Sequence, residues 1–350
     1  MKTIIRILFW IMILLAVGVI LVTVLKNLTK IVMTFLYMKY YYKLWPVISQ
    51  SPAILNVAYP DYSVQYYVMS FPQNTMVTLE GSIPQSLRFW SITLYDTTGN
   101  SIQSWNDTLY PTNHYKLQFT TTQICAMMIR YYTNSTNSST TTTLLPSSLP
   151  TVTVEGHTMA TVSEDQRIKN STQLEGMLYK TCTRQAKNYN FTNVDTHQFF
   201  LGNPKAMQMM FPNSNAMYLI AFPTSTNVIK IQGTLPPAIG RKENIRFVGF
   251  MACNLDTTRT DDCISDIHLP SSYTVYVAYT KDAAIKHGYK KGDGLLLWDA
   301  TTNTHPVVIY RQVQIETTGI FTLSGASSNI SGSAIQTIMG NYYPTIIPSS

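Results

Sequence analysis

Gly81-Ser-Ile-Pro84, Arg88-Phe89 and Tyr115 return further along the chain as Gly233-Thr-Leu-Pro236, Arg246-Phe247 and Tyr273, and this recurrence decides how the protein is built. The same 27 positions separate the arginine from the tyrosine in each set. Upstream, Tyr67-Val-Met-Ser-Phe71-Pro72 answers to Tyr218-Leu-Ile-Ala-Phe222-Pro223. Repeats spaced by roughly 150 residues are too long for a solenoid unit and match the size of a domain. The chain therefore reads as two copies of one domain.

Within each copy the apolar pattern is that of strands. Leu87-Arg-Phe-Trp-Ser-Ile-Thr-Leu-Tyr95 alternates, placing Phe89, Ser91, Thr93 and Tyr95 on one face and Arg88, Trp90, Ile92 and Leu94 on the other. Hydrophobic groups on both faces mark a central strand covered on both sides. Strands are expected at residues 64–71, 75–80, 87–95, 114–120 and 124–132, and again at 217–222, 227–232, 245–252, 273–279, 294–298 and 307–315. Residues 133–150 form a Ser/Thr/Asn tract with nothing to bury, and read as a solvated loop. Residues 163–187 have a helical look, with Ser163 and Gln166 at capping-box spacing ahead of Ile168, Leu174, Met177 and Leu178. The methionines of Lys205-Ala-Met-Gln-Met-Met-Phe211 read as packing residues.

The N-terminus differs from the rest. Lys2, Arg6, Lys26, Lys30, Lys39 and Lys43 fall before residue 45 with no acid among them, so the formal charge of +7 belongs almost wholly to this segment. The remainder is nearly balanced, which excludes a nucleic-acid partner for the body. Residues 7–25 are uncharged and almost wholly apolar. As a helix they would span roughly 28 Å, the thickness of a bilayer core, and they exceed the apolar stretch of a cleaved signal peptide. The lipid bilayer is thus an expected partner through residues 7–25, followed by an aromatic and basic juxtamembrane stretch to Trp45. The expected division is an anchor at 1–45, a first β domain at 46–160, a partly helical connector at 161–212 and a second β domain at 213–350.

Four cysteines are present, Cys125, Cys182, Cys253 and Cys263. The last two flank a polar turn and could close it as a disulfide in an oxidising compartment, the alternative being four reduced thiols. Glycosylation sequons stand at Asn106, Asn134, Asn137, Asn170, Asn190 and Asn329. The positive-inside rule mildly favours a cytosolic body. The sequons and the cysteine pair together outweigh it and predict a single-pass protein with an exoplasmic or lumenal body.

No G-x-S-x-G, H-E-x-x-H or G-x-G-x-x-G motif is present. Lys286-His-Gly-Tyr-Lys-Lys-Gly-Asp-Gly294 lacks the order of a phosphate-binding loop and reads as a hairpin turn. Zinc-ligand spacing is absent, and neither a metal nor a cofactor is expected. Two constellations could carry chemistry. Asp256, Asp261, Asp262 and Asp266 with His268 lie in one loop-and-strand segment and could assemble oxygen ligands for calcium or supply the carboxylate of a hydrolytic site, although their spacing fits no EF-hand. Arg88 and Arg246, at matching places in the two copies, could face a shared cleft and bind an anionic group. The structural alternative for each is a solvated turn and a strand-end ion pair.

Tyr59-Pro-Asp61, Tyr66-Tyr67, Gly81-Ser-Ile-Pro84 and residues 88–96, with Arg246-Phe-Val-Gly-Phe-Met-Ala-Cys253 and Asp262-Cys263-Ile-Ser-Asp266, resemble uncharacterised secreted or membrane-anchored proteins of bacteria and giant viruses. The resemblance covers roughly residues 58–315 and implies tandem β-sandwich or jelly-roll domains, without an activity. The expected protein is mainly β, an N-terminal transmembrane helix followed by two antiparallel β-sandwich domains of jelly-roll type. Its expected work is binding or structural, as a membrane or virion component meeting a protein or glycan partner. The alternative is a membrane-tethered hydrolase or carbohydrate-active enzyme using the interdomain cleft.

Overall fold

A computed structural model describes residues 2–42, 47–48, 58–83, 87–106, 114–133, 149–160, 162–187, 198–201, 213, 215–223, 228–236, 247–299, 306–313 and 331–347. Within the first helix, the side chains of residues 2–5, 7, 8, 25, 26 and 29 fall outside this description. Arg246, the methionine run at 205–211, most of the Ser/Thr/Asn tract and the sequons at Asn134, Asn137, Asn190 and Asn329 also lie outside the described residues.

The first copy is made of β1 (Val47–Ile48), β2 (Val64–Phe71), β3 (Met76–Ser82), β4 (Leu87–Tyr95), β5 (Ser101–Asn106), β6 (His114–Thr120), β7 (Cys125–Thr133), β8 (Thr151–Val154) and β9 (His157–Thr158). They form two sheets, ordered β1-β2-β7-β4-β5 and β6-β3-β8-β9. Tyr67, Met69, Trp90, Ile92 and Met127 from the first sheet pack with Val77, Leu79, Tyr115, Leu117 and Val152 from the second, giving a sandwich with one apolar core. The second copy repeats the plan with β10 (Phe200–Leu201), β11 (Ala216–Ala221), β12 (Val228–Thr234), β13 (Phe247–Asn254), β14 (Arg259–Ser265), β15 (Ser272–Ala278), β16 (Gly294–Leu297), β17 (Pro306–Val313) and β18 (Thr345–Ile347). Its sheets run β10-β11-β17-β13-β14 and β16-β15-β12-β18. Because β10 pairs with β11, strand structure of the second copy starts inside the expected connector.

The chain is mainly β in four sheets, antiparallel except at one edge. That edge corrects the hairpin turn expected at 286–294, largely within the insertion at 281–293. β15 and β16 are parallel, and a parallel pair needs a crossover. The segment provides it as helix α3 (Lys281–Lys286), whose N-cap Thr280 accepts a hydrogen bond from the Ala283 N–H at 3.1 Å. The polar loop expected before Asp262 is shorter than the sequence suggests, since β14 begins at Arg259. Its acidic composition masks a strand that exists because β13 offers it a ladder.

Register explains the duplicated glycine and tyrosine. Gly81 is paired with Tyr115 and Gly233 with Tyr273, and each tyrosine is buried over its glycine. A Cβ on Gly81 would stand 3.0 Å from the Tyr115 hydroxyl oxygen, and one on Gly233 would stand 2.7 Å from Tyr273 Cζ. The glycine is the space in which the ring lies.

Three more α-helices lie among the described residues: α1 (Lys2–Lys39), α2 (Glu164–Lys187) and α4 (Gly332–Met339). The Ser163 side chain accepts from the Gln166 N–H at 3.3 Å, as the capping box predicts. The end of α1 is built into the body. Met33, Leu36, Tyr37 and Tyr40 are buried with Val68, Tyr95 and Met128 of the first sheet and with Leu174 and Leu178 of α2. Ser70 donates to the Tyr37 carbonyl at 3.0 Å, and the Tyr37 hydroxyl donates to the Asp96 carbonyl at 3.2 Å. Towards the other end, Trp10, Leu14, Val17 and Leu21 are exposed. Among the described residues no helix is long and apolar enough to cross a membrane, and the anchor at 7–25 stands as a proposal.

Gly233→Ala is expected to lower stability by about 2 kcal/mol through overpacking, with Gly81→Ala costing less. Urea denaturation of the two variants against wild type measures both.

Candidate functional site

The outer faces of the two large sheets, those turned away from the sandwich cores, meet each other. At the start of each copy the chain makes the same turn. The Asp61 carboxylate accepts from the Ser63 N–H at 2.7 Å while the Asp61 N–H donates to the Tyr66 hydroxyl at 3.1 Å. Asn213, Asn215 and Tyr218 repeat this with distances of 3.0 and 3.1 Å. Tyr66 is therefore the counterpart of Tyr218, one position earlier than the sequence comparison sets it. In the ladders, Tyr66 faces Arg130 and Tyr218 faces Arg311. Arg130 and Arg311 are matching residues of the duplication, and sequence reading missed both. A signal existed for the residues that face them, in Pro60-Asp61-x-Ser63-x-x-Tyr66 against Pro212-Asn213-x-Asn215-x-x-Tyr218.

Each opening turn lies on the other copy. The Tyr62 hydroxyl donates to the Thr260 carbonyl at 2.6 Å and the Tyr59 N–H to the Thr258 carbonyl at 3.0 Å. Reciprocally, Asn215 accepts from Asn106 at 2.8 Å and donates to Ser104 at 3.1 Å. Two buried ion pairs cross the same boundary. Arg311 of the second copy pairs with Asp61 of the first, and Arg88 of the first donates to Asp266 of the second at 2.8 Å. Phe247 lies beneath both guanidinium groups, 5.3 Å from Arg88 and 4.9 Å from Arg311, with its edge to Tyr132 at 4.9 Å.

Arg88 was expected on the face of Trp90, towards the sandwich core. The ladder between β4 and β7 shifts register between Leu87 and Phe89, and this bulge turns Arg88 outward to Asp266. Arg130 occupies the place of Arg311, but the residue matching Asp61 is Asn213. Burial opposes its charge, and the hydroxyls of Tyr95, Tyr218, Tyr132 and Tyr66 more than offset that. Its guanidinium stands 5.8 Å from the Tyr66 ring centre and 5.5 Å from that of Tyr95. For Arg311 burial again opposes the charge, and Asp61 raises its pKa well above the ordinary value.

The acidic constellation does not assemble into a hydrolytic centre. Asp266 is consumed by Arg88 and by the Val248 N–H at 3.3 Å. The Asp256 N–H donates to the Asn254 side chain at 2.9 Å inside the β13–β14 turn. His268 is exposed, its pKa lowered by partial burial of the ring against the opposing pull of Asp266. Asp262 accepts from the Leu297 N–H at 3.0 Å and the Cys263 N–H at 2.8 Å, tying β16 to β14. Burial raises its pKa to about 6 in spite of those two donors. Among the described residues no three His, Cys, Asp or Glu side chains are grouped to hold a metal ion.

The disulfide is also corrected. Cys253 and Cys263 are not joined to each other, because a register shift after Ala252 sets Cys253 opposite Thr260 and Cys263 opposite Met251. Cys263 instead donates to the Asp61 carboxylate at 3.7 Å. Of the sequons, Asn106 is buried on Asn215, and Asn170 is buried and accepts from Gln166 at 2.8 Å. A glycan on either would displace those contacts.

No protein-family profile and no curated protein matches the chain. Among solved structures it is similar to a putative uncharacterised protein from Burkholderia cenocepacia, at 12% identity over 91% of this chain and 85% of that one, with a TM-score of 0.53. It is also similar to the VPA0106 protein of Vibrio parahaemolyticus, at 9% identity over 92% and 98% of the two chains, with a TM-score of 0.44. The first likeness shows a shared fold with an uncharacterised bacterial protein.

Asp61→Asn leaves the Arg311 cation buried without its carboxylate and is expected to cost about 3–5 kcal/mol. The pair Asp61→Leu with Arg311→Met should cost far less than the sum of the two single changes, as a double-mutant cycle in urea would measure. Asp262 supplies a pH signature. Between the unfolded value near 4 and the folded value of about 6, the native state holds a proton that the unfolded chain lacks, so its contribution weakens as pH rises through this window. Asp262→Asn should remove that slope from denaturation midpoints taken between pH 4 and 6.5.

Proposed function

We propose that this is a membrane-anchored two-domain β protein with a binding or structural role, whose body is held before the bilayer to meet a protein or glycan partner. The observation that carries this reading is the seating of α1. One unbroken helix exposes apolar side chains from Phe9 to Val24 and buries Met33, Leu36, Tyr37 and Tyr40 in the body. An exposed apolar surface of that length is costly in water and is relieved in hydrocarbon. At about 1.5 Å per residue the 38 residues of α1 reach roughly 57 Å, about twice the hydrocarbon thickness, so the helix can cross and still dock.

A non-catalytic role is supported by the use of the charged groups. Arg88, Asp266, Asp61 and Arg311 are matched to one another across the boundary between the copies, in a place that solvent does not reach. The proposed side of the membrane is exoplasmic or lumenal and rests on the sequons Asn134, Asn137, Asn190 and Asn329.

The full-length chain should float with liposomes and resist alkaline carbonate, and Leu14→Lys with Val17→Lys should release it in folded form. A wild-type chain found wholly in the soluble fraction would overturn the anchor. Protease treatment of microsomes carrying the chain should leave the body protected, whereas a digested body would place it in the cytosol.

A further inference from the structure

Among the described residues four arginines are buried: Arg88, Arg130, Arg167 and Arg311. Arg88 and Arg311 each hold a carboxylate of the other copy, and Arg130 lies among four tyrosine hydroxyls. Arg167 has neither a carboxylate nor such a cluster. It is 3% exposed, on the inner face of α2 in line with Ser171, Leu174 and Leu178. None of the ion pairs of the described residues includes it, and among those residues its buried Nε meets no hydrogen-bond partner. The group it approaches is Tyr67, whose hydroxyl donates to the Gln65 side-chain carbonyl at 3.0 Å. Burial raises the pKa of that hydroxyl, Tyr131 adds to the rise, and the Arg167 cation pulls the other way. The Tyr131 ring stands edge-on to Tyr67, with centres 5.7 Å apart.

The duplication shows that the fold does not call for a cation here. α2 packs against the edge strand β1 of the first copy as α4 packs against the matching edge strand β10 of the second. Where the first copy has Gln65 and Tyr67 the second has Met217 and Leu219, and α4 adds Ile335 and Met339 to the same apolar core. The ladder partner is polar in both, Tyr131 in the first and Gln312 in the second. A buried cation without a counter-charge is among the costliest groups a fold can hold, and an apolar side chain would serve the packing better. We propose that Arg167, with Tyr67 beside it, is the binding site of a small monocarboxylate held beneath α2 in the first domain. The Nε and one terminal nitrogen of a guanidinium form a fork that fits the two oxygens of a carboxylate. One cation balances one negative charge, whereas a sulfate or phosphate dianion would bring a buried excess. Burial of the guanidinium excludes an acidic side chain of a protein or an acidic glycan, which cannot reach it. Arg167 is the first described buried residue of α2, and Ser163, Asp165 and Gln166 just before it are exposed. Entry therefore requires only that the first turn of the helix opens.

The test is thermal melting of the full-length chain in non-ionic detergent, titrated with sodium acetate, butyrate or benzoate against sodium chloride at equal ionic strength. At least one of the three should raise the melting temperature of wild type saturably. Half-saturation should need about tenfold more carboxylate, or beyond, in Arg167→Met and in Arg167→Lys, the second of which keeps the charge and loses the fork. Without carboxylate, Arg167→Met should melt at or above wild type, because the uncompensated charge is gone. A lower melting point for that variant, or its failure to fold, would show that Arg167 holds the fold and would overturn the proposal. No saturable rise with any of the three, an equal rise in both variants, or sulfate matching the best carboxylate would overturn it as well. The site does not depend on the anchor: a chain that fails to float with liposomes can still bind, and one that floats can fail to bind.

Discussion

Everything above the level of the single sandwich depends on the exchange of buried charge between the two copies. Arg88 of the first holds Asp266 of the second, and Asp61 of the first holds Arg311 of the second. Removed from water, none of these groups is tolerable without its partner, and each partner belongs to the other copy. Correct docking satisfies all four charges together, whereas a slipped docking leaves at least one uncompensated. We regard this as a device for fixing the relative placement of the copies. The surrounding aromatic groups, Phe247 and Tyr132 above all, supply the apolar area that holds the faces together.

The exchange is nearly two-fold, and its departure from symmetry matters. Where one copy has Asp61 the other has Asn213, so Arg311 meets a carboxylate while Arg130 is surrounded by tyrosine. Asn213 donates to the Tyr132 hydroxyl at 2.8 Å and stays in the network without a charge. The outer face of the first sheet is then shared between the second copy and the helices, since Tyr66, Val68, Tyr95 and Met128 pack with α1 and α2. Arg259 at the start of β14 reaches Glu175 of α2 at 3.0 Å, so α2 touches both copies.

A helix fixed in this way transmits position. The buried end of α1 is hydrogen-bonded to β2 and to the turn after β4 and packed on α2. The helix continues from that buried end without a break in its secondary structure. The body it joins has two halves held together by charges that water does not reach.

The repeat and the strand periods were legible because they are local or follow one pattern of spacing, whereas the glycine beneath each buried tyrosine emerged only from the register of the ladders. Central strands such as β4 and β13 announce themselves by apolar residues on both faces. Strands β5 and β14 did not, because their composition is polar and their conformation is imposed by a neighbouring ladder. The charged network was half legible. Arg88 and Asp266 were singled out, but as members of a cleft; only the bulge in β4 and the meeting of the outer faces made them a pair. Arg130 and Arg311 sit among apolar strand residues, and nothing in the sequence distinguishes a buried arginine from an exposed one until its partner is known. The sequence alone determined two copies of a β domain and an apolar N-terminal run. Tertiary structure decided that the cysteines stay apart, that two of the sequons are buried, and that the acids hold the copies together, because each of these depends on register and on which sheet faces meet.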